Sequence, residues 1–294
     1  LCWLMNRDTF SGFHPLVNFM YFAAVLGFTM FLMHPVSIAI SLVCAAVYAL
    51  YLSGRAALKI GLLYMLPMLI FAGAISPLFN HRGATILAYL PNGNPVTLES
   101  IAFGFASAVV LLTVITWFAC FNAVITSDKI IYLFGRIIPA LSLILAMALR
   151  LVPRFRTQIK VISDAQKCIG REVSLRQGIK NLSILISWAL ENAIETADSM
   201  KARGYGLPGR TAFSLFSFHK RDFYALTFIF ACSAVIIAGV ATEVYRFRFF
   251  PTIRGNFYGF WTVLVFASYF ALAALPLFVN LKEDFIWKRI ESKI

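Results

Sequence analysis

The chain has 294 residues, 60% hydrophobic and only 13% charged, yet its formal net charge is +13. A soluble domain carries about 25% charged and about 45–50% apolar residues, so a mean hydropathy of +0.80 excludes an ordinary soluble globular domain. The apolar runs approach helix-spanning length and show no alternating barrel strands, which predicts an all-α polytopic membrane protein with about six transmembrane helices.

Four apolar stretches come first, at about 16–33, 36–52, 58–79 and 98–126. His34-Pro35 leaves room only for a tight helical hairpin between the first two. Ser53-Gly54-Arg55 and Lys59 supply the positive charge of a cytoplasmic loop. Residues 80–97, rich in Asn, Gly and Pro, read as an outside loop with a short hairpin at Asn92-Gly93. The fourth stretch then returns the chain inside near Ser127-Asp128-Lys129, as the positive-inside rule asks.

Residues 130–206 differ from ordinary spans. Ile137–Val152 is apolar but short, and Pro153 predicts a kink or break at 152–153. Beyond it Phe155, Ile159, Ile162 and Ile169 recur at helical spacing, with Arg154, Arg156, Lys160 and Lys167 on other faces. That helix ends near Gly170. A second amphipathic helix runs from about Arg176 to Arg203, with Leu182, Leu185, Ile186, Ala189, Ala193, Ala197 and Met200 in one stripe. Gly204, Gly206, Pro208 and Gly209 stop it. The small alanines would admit a closely crossing helix.

Two further spans follow at about 223–242 and 257–281, then a polar tail from Lys282. The loop between them carries Arg246, Arg248 and Arg254 on the expected outside, against the charge trend. The organisation expected is 1–129 for N-terminal transmembrane helices, 130–221 for a cytoplasmic helical region, and 222–294 for C-terminal transmembrane helices and tail.

Residues 150–221 hold 13 of the 26 Lys and Arg but only five acids. Cytoplasmic positive-inside charge, an anionic-lipid surface and a docking face for an acidic partner all account for that block. Nucleic acid is not an expected partner, since no zinc, RNP or helix-turn-helix signature accompanies the charge. The five cysteines stand singly and read as buried inert thiols without disulfide or zinc spacing. No catalytic residue, metal site or cofactor is expected: paired carboxylates, G-x-S-x-G, H-E-x-x-H and the P-loop pattern are all missing from the sequence. His14 and His81 read as helix-boundary and loop residues, and Glu191, Glu195 and Asp198 as a solvated acidic helix face. A polytopic membrane enzyme acting on lipid or isoprenoid substrates is the rival reading. The lack of clustered acids at span ends argues against it.

The second amphipathic helix closes with Ala202-Arg203-Gly204, and the first with Ala165-Gln166-Lys167-Cys168-Ile169-Gly170-Arg171. With Arg150 and Pro153, Trp188-Ala189-Leu190-Glu191-Asn192 and Ala197-Asp198-Ser199-Met200, this pattern resembles the transmembrane (T) component of energy-coupling factor (ECF) type ABC transporters. The resemblance covers roughly residues 5–242 and is strongest over 145–215. Two departures stand out. Ile169 occupies the place of the first motif's arginine, so that either Arg171 or Lys167 stands in or the contact there is apolar, and the last span is additional to shorter members.

The resemblance implies a non-catalytic scaffold of a bacterial plasma-membrane importer, with two long cytoplasmic coupling helices. Their tips, Ala202, Arg203, Gly204 and Ile169, Gly170, Arg171, would each enter a groove of one of two ABC-type ATPase subunits. Those partners, not this chain, would bind and hydrolyse ATP. A membrane-embedded substrate-binding S subunit would choose the micronutrient, whether vitamin, cofactor or metal, and would rest on an apolar face that includes Leu145, Leu149, Leu185 and Trp188.

Overall fold

The computed structural model describes residues 8–54, 67–71, 73–76, 78–80, 82–89, 95–135, 138–170, 175–208, 216–242, 247–253, 255 and 259–291. Among them the chain is mostly helical, with one short ribbon and the connecting turns. The helices are α1 (Pro15–Phe31), α2 (Pro35–Ser53), α3 (Pro67–Ser76), α4 (Leu98–Val124), α5 (Ser127–Gly135), α6 (Pro139–Cys168), α7 (Leu175–Ala202), α8 (Lys220–Ala241) and α9 (Phe260–Glu291). Four of these, α2, α4, α8 and α9, are long and apolar enough to cross a membrane, and α1 and α3 are shorter apolar helices. The protein is thus a multi-pass helical membrane protein. Half of the expected 58–79 stretch lies outside the described residues, as do Asn92 and Gly93.

Local chemistry sets the helix starts. Pro15 and Pro35 open α1 and α2, where a missing N–H costs nothing and φ is already helical. His14 and His34 cap them: each Nδ1 accepts the N–H two residues on, from Leu16 and Val36, at 3.3 Å. Thr97 caps α4 by accepting the Ser100 N–H at 3.3 Å.

The chain divides into two compact units. The first comprises Leu1–Thr126 with Phe216–Ile294, and the second Ser127–Leu215. In the first, α4 packs on α2, α2 on α9, α9 on α8, α8 on α1 and α1 on α4, closing a circuit of five helices. Its interior is polar as well as aromatic. Trp117, Tyr21, Tyr48, Tyr269, Asn18, Ser41 and Thr113 are all fully buried, while Phe31, Val43, Ile115, Phe230, Phe260 and Trp261 point outward. Large apolar side chains outside and hydrogen-bonded polar ones inside is the arrangement that hydrocarbon solvent demands.

Contacts at the two ends of this bundle sort its turns. At one end His34 meets the rings of Phe247 and Phe266 at 5.2 and 4.8 Å. Phe103 meets Phe249 and Phe250, and the Ala84 N–H donates to the Pro251 carbonyl at 3.0 Å. The antiparallel ribbon of β1 (Ile86–Tyr89) and β2 (Pro95–Thr97) sits there too. It is tied to α4 by Thr85, whose hydroxyl donates to the Glu99 carboxylate at 2.6 Å.

At the other end Asp8 accepts from Tyr48 (3.1 Å) and Asn280 (2.6 Å), and the Tyr51 hydroxyl donates to Asp284 at 3.0 Å. Asp222 there accepts the backbone N–H groups of His14 and His219. The described parts of the two expected outside loops, 82–89 and 95–97 with 247–253, therefore meet at one end of the bundle, while Arg55 and Lys59 of the expected inside loop lie outside the described residues.

The structure departs from the sequence reading at Pro153, where the break that the reading allowed is not seen, and at the last helix, which outruns its expected end. α6 runs unbroken through Pro153, and α9 through Pro276 as far as Glu291, well past the expected tail boundary at Lys282. Proline removes one ladder bond, and the turns on either side keep theirs; the Thr157 hydroxyl also donates to the Pro153 carbonyl at 3.1 Å. The cysteines differ as well: Cys44, Cys120 and Cys232 are buried, but Cys168 is exposed.

Two predictions follow from the first unit. A Cβ on Gly239 of α8 would collide with the Val265 side chain of α9. Gly239→Ala should therefore destabilise the protein by about 1–3 kcal/mol, and Val265→Ala should restore most of that loss in a thermal-melt double-mutant cycle. The second concerns His34, which is 1% exposed in the α1–α2 turn and whose burial lowers its pKa from the usual 6.5. As pH falls through 6.5 the unfolded imidazole takes up a proton that the folded one still refuses. Stability should be full above that pH and decline below it, and His34→Asn, which keeps a capping side chain without titrating, should flatten the acid limb of Tm against pH.

Candidate coupling-helix site

In the second unit α5 packs on α6, and α6 on α7. The α6 face that turns inward is spaced by helical turns: Leu151, Phe155, Gln158, Ile162 and Gln166 are buried or half-buried, as are Gln177, Asn181, Leu185, Trp188 and Asn192 on α7. Contact pairs show the direction. Gln177 Nε2 donates to Gln166 Oε1 at 2.9 Å, whereas the Phe155 and Trp188 rings meet edge-on at 6.0 Å. Numbers fall on one helix as they rise on the other, so the two run antiparallel.

The expected α7 stripe divides in two. Leu185 and Ala189 turn toward α6, while Leu182, Ile186, Ala193 and Ala197 remain exposed. Ile179, Leu190 and Ile194 join the exposed set at 71%, 62% and 65%. On a 3.6-residue period these fall on one face, nearly opposite the packed one.

Both helices end alike. Gly204 has φ +78° and Gly170 has φ +78°, the left-handed conformation that a Cβ disfavours. The Gly204 N–H donates to the Lys201 carbonyl at 2.9 Å and the Tyr205 N–H to Met200 at 3.0 Å, which together make a Schellman motif. The Gly170 N–H donates to Lys167 at 2.9 Å. Arg203 and Ile169 are therefore the cap residues of equivalent turns.

One turn earlier the likeness continues: Lys167 pairs with Asp164 at 3.3 Å and Lys201 with Asp198 at 4.0 Å. The two ends read Asp-x-x-Lys-x-x-Gly, 164–170 and 198–204. This repeat is legible in the sequence beside the likeness of Ala-Gln, a basic residue and a closing glycine. A lysine in the last turn also meets the negative end of the helix dipole.

The sequence-derived residues fall as follows. Ala202 closes α7; Arg203 is exposed and pairs with no carboxylate among the described residues. Ile169 is 70% exposed beside Gly170, and Arg171 lies outside the described residues. Leu145 and Leu149 are exposed on α6, whereas Leu185 is buried and Trp188 half-buried against α6. Because the helices are antiparallel, their C-terminal tips are at opposite ends of the pair, and α7 alone is about 42 Å long at 1.5 Å per residue. Such an arrangement offers two separate exposed ends on one helix pair. Among the described residues no cluster of three or more potential metal ligands occurs.

Replacing Gly204 by Ala should strain the left-handed turn by about 1 kcal/mol. The new methyl would also press the Leu207 side chain, whose Cδ1 would lie 3.2 Å away. Hydrogen exchange of residues 199–206 should then quicken while exchange in α1–α4 stays unchanged.

No family model matches this chain, and no curated protein compared with it matches either.

Proposed function

We propose that this chain is the membrane scaffold, the T component, of an energy-coupling factor importer in a bacterial plasma membrane. It joins two ABC-type ATPase subunits to a membrane-embedded S subunit that binds a vitamin, cofactor or metal-type micronutrient. The observation that carries this reading is the pair of like helix ends, Asp-x-x-Lys-x-x-Gly, exposed at opposite tips of the antiparallel pair α6–α7. A scaffold that engages two related ATPases needs two such ends at a distance, on helices stiff enough to move as levers.

Each tip has a role in this scheme. Arg203 presents a guanidinium at a helix cap, suited to charge-assisted, bidentate bonds with acidic groups lining an ATPase groove. Ile169 offers the second ATPase an apolar contact instead, so the two attachments are unequal. Leu145 and Leu149, with the exposed α7 stripe of Ile179, Leu182, Ile186 and Leu190, form the apolar surface on which the S subunit rests. ATP is bound and hydrolysed by the partner subunits, and the helices α6 and α7, on the cytoplasmic side, carry their closure to the S subunit.

The test is co-purification of the ATPase subunits with a tagged full chain. Arg203→Glu should lower ATPase recovery about 30-fold or more, as loss of a buried charged partner does, with the membrane body still folded by gel filtration. Ile169→Ala should cost less than Arg203→Ala. The native Cys168 thiol, next to Ile169, should react more slowly with a maleimide when the ATPases are bound. Full ATPase recovery and full uptake in Arg203→Glu would overturn the reading.

A further inference from the structure

The α6–α7 pair carries a groove along one side. An open cleft of about 450 Å³ is lined by α6 side chains from Arg150 to Gln158 and by Trp188 of α7. Helical spacing continues that surface toward the C-terminal end of α6. Val161 stands seven residues beyond Arg154 on α6, and Ile184 four residues before Trp188 on α7. Both are apolar, and they are 55% and 43% exposed. Leu182 and Ile186, each two positions from Ile184, fall on the far side of α7. The groove is therefore separate from the apolar surface assigned above to the S subunit.

Its two walls differ in charge. On α6, Arg150 and Arg154 stand one turn apart, and neither pairs with a carboxylate among the described residues. On α7, Glu191 and Glu195 follow Trp188 at i+3 and i+7 and so continue the same edge, again without an ion pair there. Because the helices are antiparallel, this acidic edge runs past the cleft opposite the arginines. An occupant that satisfies both guanidiniums must therefore carry its negative charge along α6 alone, and turn apolar or basic surface toward α7. A small symmetric anion lacks that asymmetry. An amphipathic helix has it, with carboxylates one turn apart on one edge and apolar residues beside them.

We propose that this groove receives an acidic amphipathic helix of a partner protein. Its carboxylates lie along Arg150 and Arg154, and its apolar face packs on Trp188, Val161 and Ile184. The indole is held in place by its edge-on contact with Phe155, at 73° between ring planes. From Arg150 to Val161 the groove runs about 17 Å at 1.5 Å per residue, which is about three turns of a docked helix. An open cleft leaves a small ligand far less covered than the about 70–90% usual in small-molecule sites, whereas a helix laid along the groove gains contact over its whole length. Guanidiniums suit such an edge, since each can fork onto a carboxylate. The inference does not depend on the importer reading, because its residues are distinct from the helix tips.

Two synthetic helical peptides serve as probes. They share a leucine face and carry on one edge either two glutamates one turn apart or two glutamines. Binding to the full chain in detergent, read by fluorescence anisotropy, should be about tenfold tighter for the glutamate peptide. Arg150→Gln with Arg154→Gln should remove that preference. Arg156→Gln with Lys160→Gln takes the same charge from the same helix outside the groove and should keep it. Ile184→Asp should weaken both peptides. Arg150→Glu with Arg154→Glu should instead select a third peptide with lysines in those two places, a gain that only a folded groove can give; it decides the matter if the glutamine pair fails to fold. Equal losses from the two glutamine pairs, no preference between the first two peptides, unchanged binding to Ile184→Asp, or a glutamate preference kept by the charge-reversed chain would each overturn the proposal. So would displacement of the glutamate peptide by inorganic phosphate or phosphatidylglycerol at comparable concentration.

Discussion

The Thr29 hydroxyl joins the helices of the membrane body. It donates to the Val25 carbonyl one turn back at 2.7 Å and lies 3.0 Å from Ser41 of α2 and 2.9 Å from Tyr269 of α9. Ser41 in turn accepts the Trp117 indole N–H of α4 at 2.9 Å. Every donor has a place if Ser41 and Tyr269 both donate to Thr29. Four helices thus meet through four side chains that water does not reach. Where the surroundings are hydrocarbon, such a network has no competing solvent, so it fixes which faces of α1, α2, α4 and α9 turn inward.

The second unit obeys a different constraint. Among its described hydrophobic residues only Ile162 and Leu185 fall below a tenth exposed. Two long helices sharing so small a core are held by few internal contacts, and most helical stability comes from covering an apolar face. Their exposed stripes are therefore surfaces for something else, whether bilayer or partner subunit. The glycine-ended tips fit the same view: a Schellman turn finishes a helix without relying on a neighbour, so the end can stand out from the rest of the chain.

Much of the helix pattern was legible in the sequence because punctuation residues act locally. Pro15, Pro35 and Thr97 mark helix starts, and Gly170 and Gly204 mark helix ends, within a residue of where the chain turns. Pro153 does not break its helix, although the local rule allowed a break there. Its local effect is real, but the flanking turns of α6 outweigh one lost bond, and a local rule cannot weigh them. Cys168 looked like the other cysteines because exposure depends on which face of α6 meets α7. The end-to-end likeness of 164–170 and 198–204 was present in the letters, though its meaning came from the matching cap geometry.

The sequence by itself determined that this is a polytopic helical membrane protein with two amphipathic helices ending in glycine. Composition, run length and turn chemistry are sums over neighbours along the chain, and they need no partner. Only the tertiary structure decided that α6 and α7 run antiparallel, that Arg203 and Ile169 occupy the same cap position, and that Arg150, Arg154 and Trp188 share one cleft. Those facts depend on which of several apolar faces pairs with which. That choice is made by side-chain fit across helices rather than by periodicity within one.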